Sequence, residues 1–246
     1  MTCRNMKVIQ PNCRIQFTAE DIHFIVSTLS HGAQDGPFLT QLLADEETRD
    51  QILDDNTLFH RLMEHRGCLP VSDHLYFYVV VRHVLKETGI ENRRVADYVA
   101  EMLCEFSRQD RTRCTVPGQP GTLDYVFEML AALKQADDRT SFCLRAHIGN
   151  HSLFLAGVFP DRIRHRAESR GFPDVSYYEG MGQANFRMAG DHRLAGRYEL
   201  APIFQTLSDQ FHNARIALND VSQRLFALDE PTQNIDSLLI NLSGAK

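Results

Sequence analysis

The sequence lacks any apolar run long enough to cross a bilayer. No window approaches the roughly 18 apolar residues that a transmembrane helix requires. The opening stretch, MTCRNMKVIQPNCRIQF, has no apolar segment of signal-peptide length. We therefore predict a cytoplasmic protein that does not associate with membranes.

A surplus of positive charge is also missing. The chain has 26 Lys and Arg residues against 32 Asp and Glu residues, which gives a formal net charge of −6. Proteins that bind a phosphate backbone rely on excess Lys and Arg on one face, so this balance argues against a nucleic-acid partner. The charges are unevenly distributed, because residues 20–64 are rich in acids and residues 139–197 in arginine. These regions can attract each other within one molecule or between two subunits.

The cysteines form neither a CxxC motif nor an even framework. A chain of 246 residues can bury a core without disulfides, so we interpret them as reduced thiols. They are Cys3, Cys13, Cys68, Cys104, Cys114 and Cys143. The sequence also has no P-loop, no GxSxG and no HExxH, so the standard enzyme classes receive no direct support.

What the sequence does contain is helical periodicity along nearly its whole length. Hydrophobic residues make up 43% and charged residues 24%, as in ordinary globular proteins. After residue 17 the apolar positions recur with the spacing of helices. We predict one all-α domain over residues 1–246, an irregular bundle of about ten helices.

Three stretches depart from this pattern. Residues 1–17 are predicted to form either an N-terminal arm or a small β-hairpin around Pro11-Asn12. Residues 107–121 predict an internal loop, since two Pro-Gly pairs interrupt the periodicity. Residues 230–246 predict a tail with loosely held ends.

Two segments are predicted to form the centre of the bundle. Residues 72–88 begin with a Ser cap and are apolar on all sides in their first half, which is typical of a buried helix. Residues 139–158 are similarly apolar and carry small residues on one face, at Gly149, Ser152, Ala156 and Gly157. Small side chains allow a second helix to approach closely, and Gly149 is also a point at which the helix can kink.

Other segments are predicted to form helices on the outside of the core. In residues 91–106 the apolar positions share one face, so Asp97 and Glu101 are expected to point to solvent. In a helix over residues 122–135, Phe127 is expected to face inward.

The last long helix is predicted to begin near Pro202 and to end near Leu228. At 1.5 Å per residue it would span roughly 40 Å, enough to brace the molecule or a dimer. Phe204 and Phe211 lie in register on it and are candidates for a dimer seam.

The candidate functional site lies in the run CLRAHIGNHSLFLAGVFP, residues 143–160. Cys143, His147 and His151 fall on one stripe of this predicted helix, among apolar residues. Histidines at i and i+4 can chelate one metal ion, and a thiolate one turn earlier can add a third ligand. Buried imidazoles more often hydrogen-bond to neighbouring carbonyls or carboxylates. An organic ligand pocket is the third interpretation of the same spacing.

Two further features are candidates for ligand binding. Tyr177, Tyr178 and Asn185 are spaced to line one helix face, which either belongs to the core or walls a pocket. Arg82 lies in the most apolar predicted helix, where a buried guanidinium requires a carboxylate partner.

The stretches GNHSLFLAGVFPDRI and DVSYYEGMG, within residues 149–188, resemble uncharacterised all-helical bacterial proteins. The resemblance covers about a fifth of the chain. It implies a bacterial protein, and it transfers no activity and no catalytic residue.

Three functional hypotheses follow. The favoured one is a non-enzymatic protein that binds a small molecule or a partner near His147, His151 and the tyrosine helix. The second is a metal- or haem-dependent enzyme with His147 and His151 as ligands and Cys143 nearby. The third is a structural subunit of an oligomer such as a homodimer, which the opposed acidic and arginine-rich regions suggest.

Overall fold

The protein folds into α-helices, as the periodicity predicts. The computed structural model describes residues 8–32, 35–64, 70–107, 112–116 and 121–227. Within these ranges it contains thirteen α-helices, somewhat more than the ten expected, and no β-strand. The helices are α1 Ala19–Leu29, α2 Asp35–Ala44, α3 Glu46–Leu53, α4 Asn56–Glu64, α5 Asp73–Glu87, α6 Arg93–Phe106, α7 Val126–Leu133, α8 Asp138–Val158, α9 Pro160–Arg170, α10 Val175–Gly190, α11 Arg193–Arg197, α12 Ala201–Asp209 and α13 Phe211–Ala227.

The segments predicted to be central are α5 and α8. Helix α5 packs against α4, α6 and α13, and α8 packs against α7, α9, α10 and α13. Helix α5 has the expected Ser cap, since Ser72 Oγ accepts the Leu75 N–H, and α8 is capped by Asp137, whose Oδ1 accepts the Thr140 N–H. No helix in the described part of the chain is long and apolar enough to span a bilayer.

The predicted N-terminal hairpin is wrong. Residues 8–17 form an irregular segment that contains a short 3-10 helix, Arg14–Gln16, and lies against α5 and α6. The Arg14 N–H donates to Asp97 Oδ1 at 2.9 Å, and Gln16 Nε2 donates to Glu101 Oε2 at 2.8 Å. The segment therefore satisfies its polar groups on α6 rather than by pairing with itself.

The same contacts overturn the prediction that α6 is a surface helix. Asp97 is 3% exposed and Glu101 is 7% exposed, although both were expected to face solvent. Helical periodicity assigns carboxylates to the outside, but here Arg14 and Gln16 cover them.

Helix α7 is rotated relative to its prediction. It begins at Val126, and the buried positions are Val126, Met129 and Ala132. Phe127 is therefore 63% exposed instead of facing inward. Its ring stacks on Tyr125, with centroids 5.5 Å apart.

The predicted long C-terminal helix is broken at Gln210 into α12 and α13. The break lets Phe204 and Phe211 converge on Phe186 of α10, with ring centroids 5.6 and 6.2 Å from it. Both phenylalanines are fully buried within the chain. Neither can contribute to a dimer seam, so that prediction is wrong.

The small residues of α8 admit neighbouring helices, as predicted. Gly149 faces the Phe186 ring of α10, and Gly157 faces Leu218 of α13. Helix α8 nonetheless continues through Gly149 without interruption.

Three parts of the expected organisation fall wholly or largely outside the described residues. Residues 1–7, most of the interior of the predicted 107–121 loop and the predicted tail at 230–246 lie outside the described residues. The part of the loop that is described pairs with the chain after it, through two backbone hydrogen bonds between Cys114 and Leu123. The assignment of all 246 residues to one domain stays a prediction.

The close approach of α10 and α13 generates a test at Gly182. A methyl group at Gly182 would lie 2.1 Å from the Phe211 ring, so Gly182→Ala should lower the free energy of unfolding by about 1–3 kcal/mol. Gly180→Ala is the matched control in the same helix. Its added methyl would meet nothing within 4 Å, so it should raise stability by up to about 1 kcal/mol. Urea denaturation measures both, and equal effects would contradict the packing of Phe211 on α10.

Candidate functional site

The two histidines singled out by the sequence lie in the interior, where α8 passes the end of α6. His151 is 3% exposed, and the Nε2 atom of His147 is enclosed although the residue as a whole is partly exposed. The His147 ring contacts Phe106, with centroids 5.7 Å apart, and hydrogen-bonds to the backbone of Thr112. The rings of His147 and His151 stack with centroids 6.1 Å apart.

Both imidazoles are neutral at physiological pH. Burial lowers the pKa of His147 to about 4, against an opposing contribution from the Thr112 hydrogen bond. Burial, with a smaller contribution from His147, lowers the pKa of His151 to about 3. Neutral rings pack among apolar side chains at lower cost than charged ones.

The arrangement supplies the histidine pair with no third metal ligand among the described residues, which contain no group of three or more His, Cys, Asp or Glu that could hold an ion. Cys143 is buried one turn before His147, and burial raises the pKa of its thiol. Among the described residues, His147 Nε2 and His151 Nδ1 have no hydrogen-bond partner. In its contacts the pair resembles core histidines more than a metal centre.

The tyrosine helix is α10, and its predicted ligand residues face different surroundings. Tyr177 and Tyr178 are partly buried, contact each other edge to face at 5.5 Å, and pack on the apolar cluster around Leu144 and Ile148. Asn185 is buried, donates to the Met181 carbonyl at 2.9 Å and accepts from Arg145 at 3.5 Å. These contacts indicate packing and do not join the tyrosines to the histidines.

Arg82, the remaining candidate, lies beside a cleft that the sequence analysis did not anticipate. The cleft has a volume of about 270 Å³ and opens between the α3–α4 junction and α5. Its lining residues are Leu53, Asp54, Asp55, Asn56, Phe59, Val79, Arg82, His83, Lys86 and Glu87. The signal that could have revealed it is the polar run 82, 83, 86 and 87, which forms one stripe on an otherwise apolar helix.

Arg82 has the carboxylate partner that its burial requires. Its Nε and Nη2 donate to the two oxygens of Asp54 at 2.8 and 2.9 Å, and Nη1 donates to the Glu91 carbonyl at 2.6 Å. Arg93 adds a bond to Asp54 Oδ2 at 3.0 Å. Burial acts to raise the pKa of Asp54, but these two arginines hold it below its ordinary value. Three of the five N–H donors of Arg82 are thus used within the protein, so Arg82 holds the walls of the cleft in position.

An aromatic wall closes one side of the cleft. His83 stacks face to face on Phe59, with ring centroids 3.6 Å apart, and its Nε2 lies 3.2 Å from Glu87 Oε1. Arg224 of α13 lies over the Phe59 ring at 5.4 Å and 3.7 Å from Glu87. Burial lowers the pKa of His83, and Arg224 adds to this while Glu87 opposes it. The wall is thus a stack that joins α4, α5 and α13.

Two lining groups remain available to a ligand. Lys86 is exposed on α5 and makes no ion pair with the described residues. Asp55 uses Oδ1 to accept the Thr57 N–H at 2.6 Å, which leaves its other oxygen without a hydrogen bond to the described residues.

Comparison of the chain with known protein families, with curated proteins and with solved structures found no match. The resemblance around residues 149–188 therefore stays a prediction. The function has to be inferred from the geometry of the protein's own residues.

The buried histidines predict acid sensitivity. As the pH falls from about 6.5 towards 4, the unfolded chain takes up protons at these residues that the folded protein excludes, so stability is lost in that window. Asp97 and Glu101 act in the opposite direction, because burial raises their pKa values. The unfolding free energy of His151→Leu should therefore fall by about 2 kcal/mol less between pH 6.5 and 4.5 than that of the original protein.

Urea denaturation at a series of pH values measures this loss. The matched control is His165→Leu, at an exposed position of α9, which should keep the pH dependence of the original protein. An unchanged profile in His151→Leu would show that His151 titrates normally in the folded state.

The buried ion pair between Arg82 and Asp54 predicts that a single substitution at Asp54 strongly lowers the free energy of unfolding. Asp54→Asn leaves the buried guanidinium without its carboxylate and should cost about 3 kcal/mol of unfolding free energy. Asp220→Asn, which removes the half-exposed partner of Arg224 at 2.8 Å, should cost less than about 0.5 kcal/mol. Chemical denaturation compares the two, and similar losses would argue against a structural role for the buried pair.

Proposed function

We propose that this protein is a non-enzymatic binding protein and that a small polar molecule binds in the cleft between the α3–α4 junction and α5. The observation that carries the proposal is one cleft whose lining combines apolar side chains, the stack of His83 on Phe59 and two charged groups, Lys86 and Asp55, that make no ion pair with the described residues. Ligand sites typically combine apolar walls with a few polar groups that fix orientation.

The frame of the cleft favours a preformed site. The Arg82 guanidinium joins α5 to Asp54 at the end of α3 and to the turn before α6. Arg93 joins the beginning of α6 to the same carboxylate. Walls cross-linked in this way lose little conformational freedom when a ligand binds, which improves affinity.

The size and charge of the cleft indicate the class of ligand. At about 270 Å³ it lies just below the usual range for drug-sized molecules, so it suits a small metabolite. Lys86 offers an ammonium group and Asp55 a carboxylate in the lining of the same cleft. A molecule with an anionic group and a hydrogen-bond donor or cationic group complements both.

The lining residues favour binding over catalysis. They include no Ser, Thr or Cys that could act as a nucleophile. The only histidine, His83, stacks on Phe59 and contacts Glu87, which suits a wall. The metal- or haem-dependent enzyme remains an alternative, although the described residues supply no group of three ligands. The homodimer, the structural-subunit hypothesis, the bacterial origin and the cytoplasmic location also remain predictions.

Ligand-observed magnetic resonance with separate pools of amino acids, dicarboxylic acids and sugar phosphates tests the proposal. One pool should bind and raise the melting temperature, and Lys86→Glu should weaken that binding at least tenfold, the effect of losing about 1.4 kcal/mol or more of binding free energy. Lys134→Glu is the matched control, because Lys134 is exposed at the end of α7, outside the cleft.

Two results would contradict the proposal. One is that no pool binds at millimolar concentration. The other is that Lys86→Glu and Lys134→Glu weaken binding equally, which would mean that the ligand responds to overall charge rather than to the cleft.

A further inference from the structure

Glu87, the last residue of α5, contributes a carboxylate to the lining of the cleft. Its Oε1 lies 3.2 Å from Nε2 of His83, one turn earlier on the same helix, and its Oε2 lies 3.7 Å from Nη2 of Arg224 on α13. Lys86, another lining residue, makes no ion pair with the described part of the chain. The Glu87 carboxylate therefore joins two nitrogen groups from different helices, in a cleft that also has an ammonium group in its lining.

The contacts of Glu87 are weak. Its side chain is 53% exposed, and its distance to Arg224 is longer than a hydrogen bond. Water screens exposed ion pairs of this kind, so they contribute little to stability. The Glu87 carboxylate can therefore leave these two nitrogen groups at little cost in free energy.

His83 and Arg224 keep their positions through other contacts. The His83 ring stacks on Phe59, with centroids 3.6 Å apart, and Arg224 Nε lies 2.8 Å from Asp220 Oδ2. Arg224 also lies over the Phe59 ring at 5.4 Å. Movement of Glu87 would thus leave a preorganised pair of nitrogen groups that an external anion can use.

The other carboxylates of the lining are held more firmly. Asp54 is 14% exposed and accepts two hydrogen bonds from Arg82, at 2.8 and 2.9 Å. Asp55 accepts the Thr57 N–H at 2.6 Å at the start of α4. Glu87 is therefore the carboxylate of this lining that a ligand displaces most easily.

We infer that the cleft binds a carboxylic acid, whose carboxylate takes the place of the Glu87 side chain on His83 and Arg224. The inference rests on the proposed function and narrows the class of ligand, since the external group has the same charge and shape as the group that it displaces. Glu87 is then a competitor that belongs to the protein itself. Its removal should tighten the binding of carboxylic acids, and Lys86 should attract the same anionic group.

The pKa of His83 reports which carboxylate is present. Burial, Arg224 and His60 lower this pKa, whereas Glu87 raises it by favouring the protonated ring. The charged and titratable groups around the ring are Lys86 and Glu87 on α5, His60 on α4, and Asp220 and Arg224 on α13. Loss of Glu87 should therefore lower the pKa of His83 further, and an external carboxylate in the same place should raise it again.

The test replaces Glu87 by alanine in the full chain and follows the His83 ring protons by nuclear magnetic resonance over about pH 5–8, with His83→Gln to assign the signal. The pKa of His83 should be lower in Glu87→Ala than in the original protein. Sodium acetate should raise it again, relative to sodium chloride at the same ionic strength. In the original protein acetate should have a smaller effect, because Glu87 competes with it. Glu168→Ala, an exposed change on α9, is the matched control and should alter none of these results.

A pKa of His83 that is unchanged in Glu87→Ala, or that falls and does not respond to acetate, would overturn the inference. The ligand pools add a second measurement, because Glu87→Ala should bind the amino acids or the dicarboxylic acids about fivefold more tightly than the original protein does. Binding of the sugar phosphates alone would also overturn the inference. If no pool binds while acetate restores the pKa of His83, the proposed function fails and the carboxylate site at His83 and Arg224 is supported.

Discussion

Asp50 and Asp54, near the end of α3, hold three arginines that come from three separate parts of the chain. Arg14 reaches Asp50 from the N-terminal strap, which is the segment of residues 8–17, and Arg82 reaches Asp54 from α5. Arg93, at the beginning of α6, lies 3.0 Å from Asp54 and 3.9 Å from Asp50. Each of these charges is costly to bury alone, so the strap, α3, α5 and α6 have to be in place together.

The position of helix α3 depends on these ion pairs. Its sequence, EETRDQIL, buries only Asp50 and Leu53, so apolar contact contributes little to its position. The ion pairs supply what a hydrophobic face supplies elsewhere, namely a unique orientation against α5. The shape of the cleft depends on this orientation of α3, because Leu53, Asp54 and Asp55 line the cleft. Removing one charge would therefore alter the shape of the candidate site as well as the stability of the protein.

The second half of the chain is organised by aromatic packing instead. Phe186 of α10 contacts Phe204 and Phe211, and α8 and α10 accommodate these rings with glycine at Gly149 and Gly182. His147 and His151 belong to the same packed interior and are neutral there. The most conspicuous polar motif of the sequence is therefore part of the core, while the cleft is built from residues that form no recognisable motif.

The sequence by itself determined the elements that depend on neighbours along the chain. The all-α class, the capping of α1 by Thr18 and of α5 by Ser72, and the small-residue face of α8 all follow from local spacing and cap chemistry. The need of Arg82 for a carboxylate also followed, since a buried charge requires a partner wherever that partner lies in the sequence.

Only the tertiary structure decided which distant residues meet. The burial of Asp97 depends on Arg14, and the convergence of Phe204 and Phe211 on Phe186 depends on the break at Gln210. The cleft likewise exists only because α3 and α5 are cross-linked through Asp54. Periodicity reports how one helix divides apolar from polar residues, and it carries no information about a charge or a ring supplied from another part of the chain.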